Sequence, residues 1–508
     1  MNTFSDDNNK KNNDYSDIIK WTIAAYAPTL YSSGKGLNPL FIGGISRKDL
    51  SSEDIEKELE FFREDWSIID KETADHRMIY LYNGGDDFEM YKTKIGALIN
   101  DIFSDQIEDS DDFNDYSEND KQKIILRKSA RVYVSQTYPE VGTIGSDLSR
   151  GMYLTSRLYL AGIYSFEEAM SMSIKIGQKL QKSFNNWDEY MENAFWGLQC
   201  QFSVNPYNAD SFVAKRRKYY YNEKEINNGI YSLDWNTPLV DEWNIPNVLI
   251  YPDTIKWFNA AKALLQASNP WTPKIYPMGL MSPSWNQTSL KMLDSSWSIH
   301  NREDAEETIQ DLFEGKVHNE RFLQEWQYMK EMTLTEYIEE MTSDYDDYDD
   351  EYDDENTDHL DEETVIDEET VNYYKIYFNL FHTIIENYGD RGILAWDLYR
   401  AMYLNAVSYT VGFYTYEESL NKSLLISKKI QENFNSWDDY MNNYSLGYQY
   451  WSRDILENPL ENPPLPEDGM LNFNESGTAF RKKLYQWLKN EEDSVYNIPW
   501  NTELKKEW

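Results

Sequence analysis

Apolar and polar residues along this chain alternate at helical rather than strand spacing. Leu148, Met152, Tyr159 and Ile163 recur at near-helical intervals, which predicts a helix with one buried stripe. Gly162 and Gly412 stand where a left-handed residue would end such a helix. SFEE from Ser165 and TYEE from Thr415 fit the S/T-x-x-E capping box, with Glu168 and Glu418 reaching back to the cap. The segments NNWDEYM and NSWDDYM predict further helix starts, with Asn186 and Ser436 as caps and Asp188 and Asp438 at the positive dipole end. After each WSI tripeptide comes another start, at Asp70 and Asn301, with Gly84 and Gly315 as the stops. Strand signals are thin, limited to a minor pair near 230–250 or 272–281.

The same pattern occurs twice. Shifting the sequence by 250 aligns 142–199 with 392–449 without a gap, and 25 of 58 positions are identical, where composition alone would give about four. DIIKWTIAA returns as DTIKWFNAA, DWSIIDKETA as SWSIHNREDA, and WNTPLVDEW as WNTELKKEW, in the same order. A unit this long is a duplicated domain, not a solenoid repeat. The expected fold class is mainly α: two homologous helical domains from an internal duplication. The expected layout is a disordered tail at 1–14, a first domain at 15–243, a linker at 244–252 and a second domain at 253–508. Each domain should carry an acidic, solvated loop, at 101–120 and 343–370, because such runs repel themselves and cannot form a core.

Charge sharpens that picture. The net charge is −41, but removing the two acidic segments would leave −16. This balance argues against a nucleic-acid backbone or an anionic membrane as partner, and for a basic protein. The sole cysteine, Cys200, allows no intrachain disulfide and suits a reducing compartment. The amino terminus lacks the apolar core of a signal peptide, and no run approaches about 18 apolar residues. The expectation is a cytoplasmic protein.

Candidate chemistry is sparse. Asp147 and Arg150, like Asp397 and Arg400, sit three apart and can share a helix face. They read either as an anion clamp or as a structural ion pair. Tyr153 and Tyr403 follow on the same helices, and Trp396 precedes Asp397. Trp187 and Tyr190, with Trp437 and Tyr440, read as a ligand wall or as core packing. The paired glutamates at 167–168 and 417–418 need no role beyond capping. None of the five histidines has zinc-hydrolase spacing, and the acidic run lacks the glycine and closing glutamate of a calcium loop. No phosphate-binding, dinucleotide or nucleophile-elbow motif is present, so no cofactor is expected.

The AWDLYR segment at 395, the G-x-Y-x-x-E-E turn, the F-N-x-W-D-x-Y segment, the WSI helix and the closing WNT-x-L together resemble a bacterial domain-of-unknown-function family, number 1266. The resemblance covers both copies and implies a mostly helical domain with no assigned activity. The first copy reads GSDLSR, without the tryptophan before Asp147. The family's G-H-R-like step after the WSI helix is out of order in both copies, since Gly84 is followed by GDDF and Gly315 by KVH. Two functional readings follow. One is a non-catalytic interaction or regulatory module, of immunity-like type, binding a basic partner. The alternative is an enzyme or small-ligand binder with a site at the Asp-x-x-Arg helix and the Trp-Asp-x-Tyr segment. A third reading is a structural protein that its acidic loops keep in solution.

Overall fold

A computed structural model of the chain describes residues 17–32, 51–85, 117–268, 276, 283–343 and 368–508, apart from 206, 207, 228, 243, 244, 246, 248, 467–470, 472–474, 476, 492 and 493. The first copy contains α1 (Asp17–Ser32), α2 (Ser52–Trp66), α3 (Lys71–Tyr82), α4 (Glu118–Thr137), α5 (Ile144–Ala161), α6 (Phe166–Ser183), α7 (Trp187–Phe202) and α8 (Phe212–Lys224). The second contains α9 (Asp253–Ser268), α10 (Pro283–Trp297), α11 (Arg302–Glu314), α12 (Asn319–Met329), α13 (Leu334–Ser343), α14 (Glu368–Tyr388), α15 (Leu394–Thr410), α16 (Tyr416–Asn433), α17 (Trp437–Ser452) and α18 (Gly477–Asn490). The fold is all-α among the described residues.

The caps fall where the sequence puts them. Ser165 and Thr415 form complete capping boxes with Glu168 and Glu418. Asn186, Ser436, Asp70 and Asn301 each accept a backbone N–H of the first turn. Gly162 and Gly315 close their helices in the left-handed conformation.

Three expectations change. Among the described residues no strand pair forms near 230–250, where Ile230–Ser232 is a 3-10 turn, and 272–281 lies outside the described residues except for Tyr276. The carbonyls that follow are taken by side chains, with Gln181 donating to Trp235 and Thr237 and Gln178 to Leu239, so no neighbouring strand is needed. The acidic segments are shorter than 101–120 and 343–370, because α4 begins at Glu118, α13 ends at Ser343 and α14 begins at Glu368. Apolar stripes resume there, at Ala130 and Val134 in α4 and at Ile376, Tyr377 and Leu380 in α14. The tail at 1–14 and the remaining acidic runs lie outside the described residues. Finally, α5 and α15 are buried nearly all round rather than along one stripe. Each is the central helix of its copy: α5 touches α1, α2, α3, α6 and α7, and α15 touches α9, α10, α11, α12, α16 and α17.

Each copy closes on three tryptophans. In the first, Trp187 lies 4.9 Å from Trp21 and 4.8 Å from Trp235. In the second, Trp437 lies 4.8 Å from both Trp257 and Trp500. The indole N–H of Trp21 donates to the Trp235 carbonyl and that of Trp257 to the Trp500 carbonyl, each at 3.0 Å. These bonds tie the first helix of each copy to its last segment. Other contacts also repeat. Asn193 bridges Gly142 and Gly145 as Asn443 bridges Gly392 and Ala395. Asp188 accepts from Tyr220 and Lys224 as Asp438 does from Tyr485 and Lys489. A Cβ on Gly197 would meet Ser146 at 2.5 Å, and one on Gly447 would meet Trp396 at 2.4 Å. Only glycine lets these helices cross so closely.

The copies meet head to tail. His76 of α3 inserts against Tyr409 and Tyr416, with ring centroids 5.9 and 4.1 Å away, and Nδ1 lies within hydrogen-bond distance, 3.1 Å, of the Tyr409 hydroxyl. Ile79, one turn on, belongs to the second core. The connector is packed as well, with Leu249 in the first core and Tyr251 in the second.

Burial pushes the His76 pKa down to about 4, against a smaller upward pull from Asp70. The folded chain therefore resists protonation that the unfolded chain accepts below about pH 6.5. Stability contributed by neutral His76 should be complete above that pH and fall between about pH 6.5 and 4, by about 3 kcal/mol. His76→Gln should flatten the pH dependence of urea unfolding by that amount; an unchanged slope would count against the assignment. A second test concerns the buried pair Glu58–Arg157, 2.6 Å apart, whose counterparts are Ser289 and Val407. Glu58→Ala should cost about 3–5 kcal/mol by stranding the guanidinium, whereas Glu58→Ser with Arg157→Val should cost less, because it leaves a cavity but no unpaired charge. Equal losses for the two variants in chemical denaturation would contradict this.

Candidate functional site

Asp397 sits at the first turn of α15 and is fully buried. Its Oδ2 accepts the backbone N–H of His318 at 3.1 Å and of Asn319 at 2.9 Å, so the carboxylate sits at the N-terminus of α12. That is the favoured end of the helix dipole for a negative charge. Its Oδ1 lies 2.6 Å from His318 Nδ1, and Arg400 Nη1 lies 3.0 Å from His318 Nε2. Arginine only donates, so Nε2 must accept and the ring proton must sit on Nδ1, donating to Asp397. The result is a fixed series, Arg400 to His318 to Asp397.

The guanidinium of Arg400 is enclosed by Trp396, Trp297 and Trp451, with ring centroids at 4.2, 4.6 and 4.8 Å. Burial pushes its pKa down to about 10, opposed by Tyr444 and Asp397. It therefore remains charged at neutral pH, held by the indole faces and the imidazole. Arg481 of α18 is close enough for its charge to act on Arg400, and its guanidinium lies 3.7 Å from the Tyr448 ring. This arrangement holds a cation rather than exposing one.

The other candidate residues separate from this network. Trp437 donates to the Ile498 carbonyl within the tryptophan triad, and Tyr440 is fully buried beside Phe434 and Trp500. Trp187 and Tyr190 occupy the matching places, with Tyr190 donating to the Ala25 carbonyl at 2.7 Å. Tyr403 is buried in the second core, and burial raises its pKa to about 12. The structure thus brings together Trp396, Asp397 and Arg400, and places Trp437 and Tyr440 apart from them. In the first copy Arg150 Nη1 lies 3.6 Å from Asp147 Oδ1, and its guanidinium lies over Trp66 at 5.1 Å. Tyr153 accepts from Arg157 at 3.1 Å.

Sequence reasoning missed three participants. His318 was set aside because KVH is not a G-H-R step, yet three residues past Gly315 is where the turn into α12 meets α15. Arg216 and Arg481 lie in AKRRKYYYNEK and AFRKKLYQWLK, a repeat at an offset of 265 that was legible in the sequence. Lys262 is also buried, donating to Asn259 at 3.1 Å and to Gln266 at 2.6 Å, and burial holds its pKa well below the ordinary range. Among the described residues no group of three or more histidine, cysteine or carboxylate side chains could hold a metal ion, and no helix is long and apolar enough to cross a membrane.

A family model described as "Protein of unknown function (DUF1266)" matches residues 62–235 and 292–500. A curated relative, "Uncharacterized protein YbeU" of Escherichia coli (strain K12), is 30% identical over 113 residues, covering 22% of this chain and 46% of the relative. The chain thus spans about half the length of that relative. No solved structure matches.

Asp397→Ala should strand two backbone N–H groups and the His318 ring proton, and cost about 3–5 kcal/mol in urea unfolding followed by tryptophan fluorescence. His318→Ala should cost less, and the double variant should show coupling above about 1 kcal/mol. Additive losses would mean that the two side chains act independently.

Proposed function

Since the chain belongs to the DUF1266 family, in two tandem copies, and that membership carries no activity, we propose from its own residues that it is a non-catalytic binding protein for a basic protein partner. One observation carries the reading: the longest acidic run of the sequence connects two helices that pack together as a stem. The chain departs from α13 at Ser343 and returns into α14 at Glu368. The two helices pack together, with Tyr337 against Tyr374 and Phe378, and the Tyr374 hydroxyl donates to the Met341 carbonyl at 3.2 Å. Between them the sequence holds 14 Asp or Glu and no Lys or Arg. The stem itself exposes Glu336, Glu339, Glu340, Glu368 and Glu369. Charge presented this way suits electrostatic capture of a cationic surface, which sets on-rate and specificity more than raw affinity. The Arg400–His318–Asp397 series supports the same reading, because its donors and ring faces are already engaged inside the fold.

The alternative, a small-ligand site at the Asp-x-x-Arg helix, is favoured by one observation in the first copy only, where a cleft opens beside Arg150.

Deleting 344–367 should leave the melting temperature unchanged, since the stem contacts lie outside the deletion. It should also abolish salt-sensitive capture of a specific protein from an extract of the native cell. The full chain should release that protein as salt rises from about 0.05 to 0.5 M. Polylysine serves as the non-specific control. Capture that survives the deletion, or that salt does not weaken, would remove the basis of the proposal.

A further inference from the structure

The two copies treat the surroundings of their matched arginines differently. In the second copy Trp396, Trp451, Tyr444 and Tyr448 pack around Arg400 and Arg481, and Tyr399 packs on Tyr444. At the matching positions the first copy has Ser146, Ser149, Ala194, Leu198 and Gln201, and the first four of these line a cleft with Arg150 and Arg216. All five replacements remove aromatic volume from one region. A cleft results, with about 290 Å³ of empty space counted to its open mouth, lined by Ser146, Ser149, Arg150, Ala194 and Arg216 among others. None of the residues lining it is a carboxylate. Its inner part is narrow, with room for about one water, so a bound head group would sit toward the open mouth.

One wall of the cleft is Pro28, at the place of Leu264. Proline has no N–H, so the Ala24 carbonyl loses its donor within α1. The Tyr231 hydroxyl supplies one at 3.1 Å, and the Tyr190 hydroxyl donates to the neighbouring Ala25 carbonyl at 2.7 Å. In the second copy the same stretch of helix runs against an aromatic ring instead, since the Leu265 N–H donates to the Tyr399 hydroxyl at 2.9 Å. The cleft is therefore bounded by a helix end that hydrogen bonds hold in place.

We propose that this cleft of the first copy is a binding site for a small oxyanion, a carboxylate or phosphate head group, seated between Arg150 and Arg216 with the Ser146 and Ser149 hydroxyls beside it. Guanidinium groups recognise both anions through paired N–H donors. Each arginine is already positioned: Arg150 rests on Trp66 with Asp147 behind it, and Arg216 lies over Phe212 at 5.1 Å. Burial and, less strongly, the nearby Arg150 charge push the Arg216 pKa down to about 10, so it stays charged at neutral pH but at a cost. An anion between them relieves both effects. This site is separate from the acidic stem, and its test does not depend on the basic-partner reading.

The test is titration of the full chain with inorganic phosphate and, separately, acetate, by calorimetry and by thermal shift up to about 10 mM. At least one should bind, and which one does identifies the head group. Arg216→Gln should weaken that binding at least tenfold. Ser149→Tyr combined with Ala194→Tyr, which installs the second copy's aromatic pair, should abolish it in a chain that remains folded. Arg481→Gln, the matching change in the second copy, should leave it intact. If neither anion binds, or if binding survives the aromatic pair, the proposal is wrong. Equal sensitivity to Arg481→Gln would mean general cation attraction rather than a site.

Discussion

Closure of each copy by its tryptophan triad is the constraint on which the rest of the structure depends. The first helix of a copy and its last segment are more than 200 residues apart in sequence, yet a buried indole N–H joins them by a single bond to a carbonyl. Trp187 and Trp437 wedge between these ends at the start of α7 and α17. Burying three indoles provides a large share of the apolar area in each core, and each indole also carries a polar N–H that must be satisfied. This explains why the awkward Trp-Asp-x-Tyr heptapeptide occurs twice: it starts a helix and completes the closure at one point. The family match omits α1 and α9, although Trp21 and Trp257 lie at the centre of these cores.

Around that shared closure, the copies solve the same local problems with different chemistry. Where the first buries Glu58 with Arg157, the second places Ser289 and Val407. Where the second encloses Arg400 in three indoles and an imidazole, the first leaves a cleft. Asp87 falls at the position of His318. A buried ion pair and an apolar contact of similar volume are close in net free energy, because desolvation offsets attraction. Either therefore survives in a duplicated core.

Much of this was legible in the sequence, for reasons that differ by element. Caps at Ser165, Thr415, Asn186 and Asn301 were readable because capping is local: a side chain bonds a backbone group three residues away. The duplication was readable because the triad and the Asn193 and Asn443 bridges restrict which residues fit. Tertiary partnerships were not readable. The distance from His318 to Asp397 depends on where the turn after Gly315 delivers the chain, and spacing rules say nothing about that. α4 and α14 were hidden by acidic residues at their first turns, which favour helix starts there although they read as loop. The candidate set mixed core and network residues because Trp437 and Trp396 look alike in sequence; only packing separates an indole that closes a domain from one that covers a guanidinium.

The junction between the copies is built from a face that only one of them can offer. The first copy meets the second through His76 and Ile79 on α3, which are uncharged in the folded chain. The corresponding positions on α11 are Glu307 and Gln310, both exposed. A third unit added by the same geometry would have to bury the Glu307 carboxylate against tyrosine rings without a counter-charge, which is strongly unfavourable. The duplicated helix thus presents an uncharged face at the junction in one copy and a carboxylate to solvent in the other.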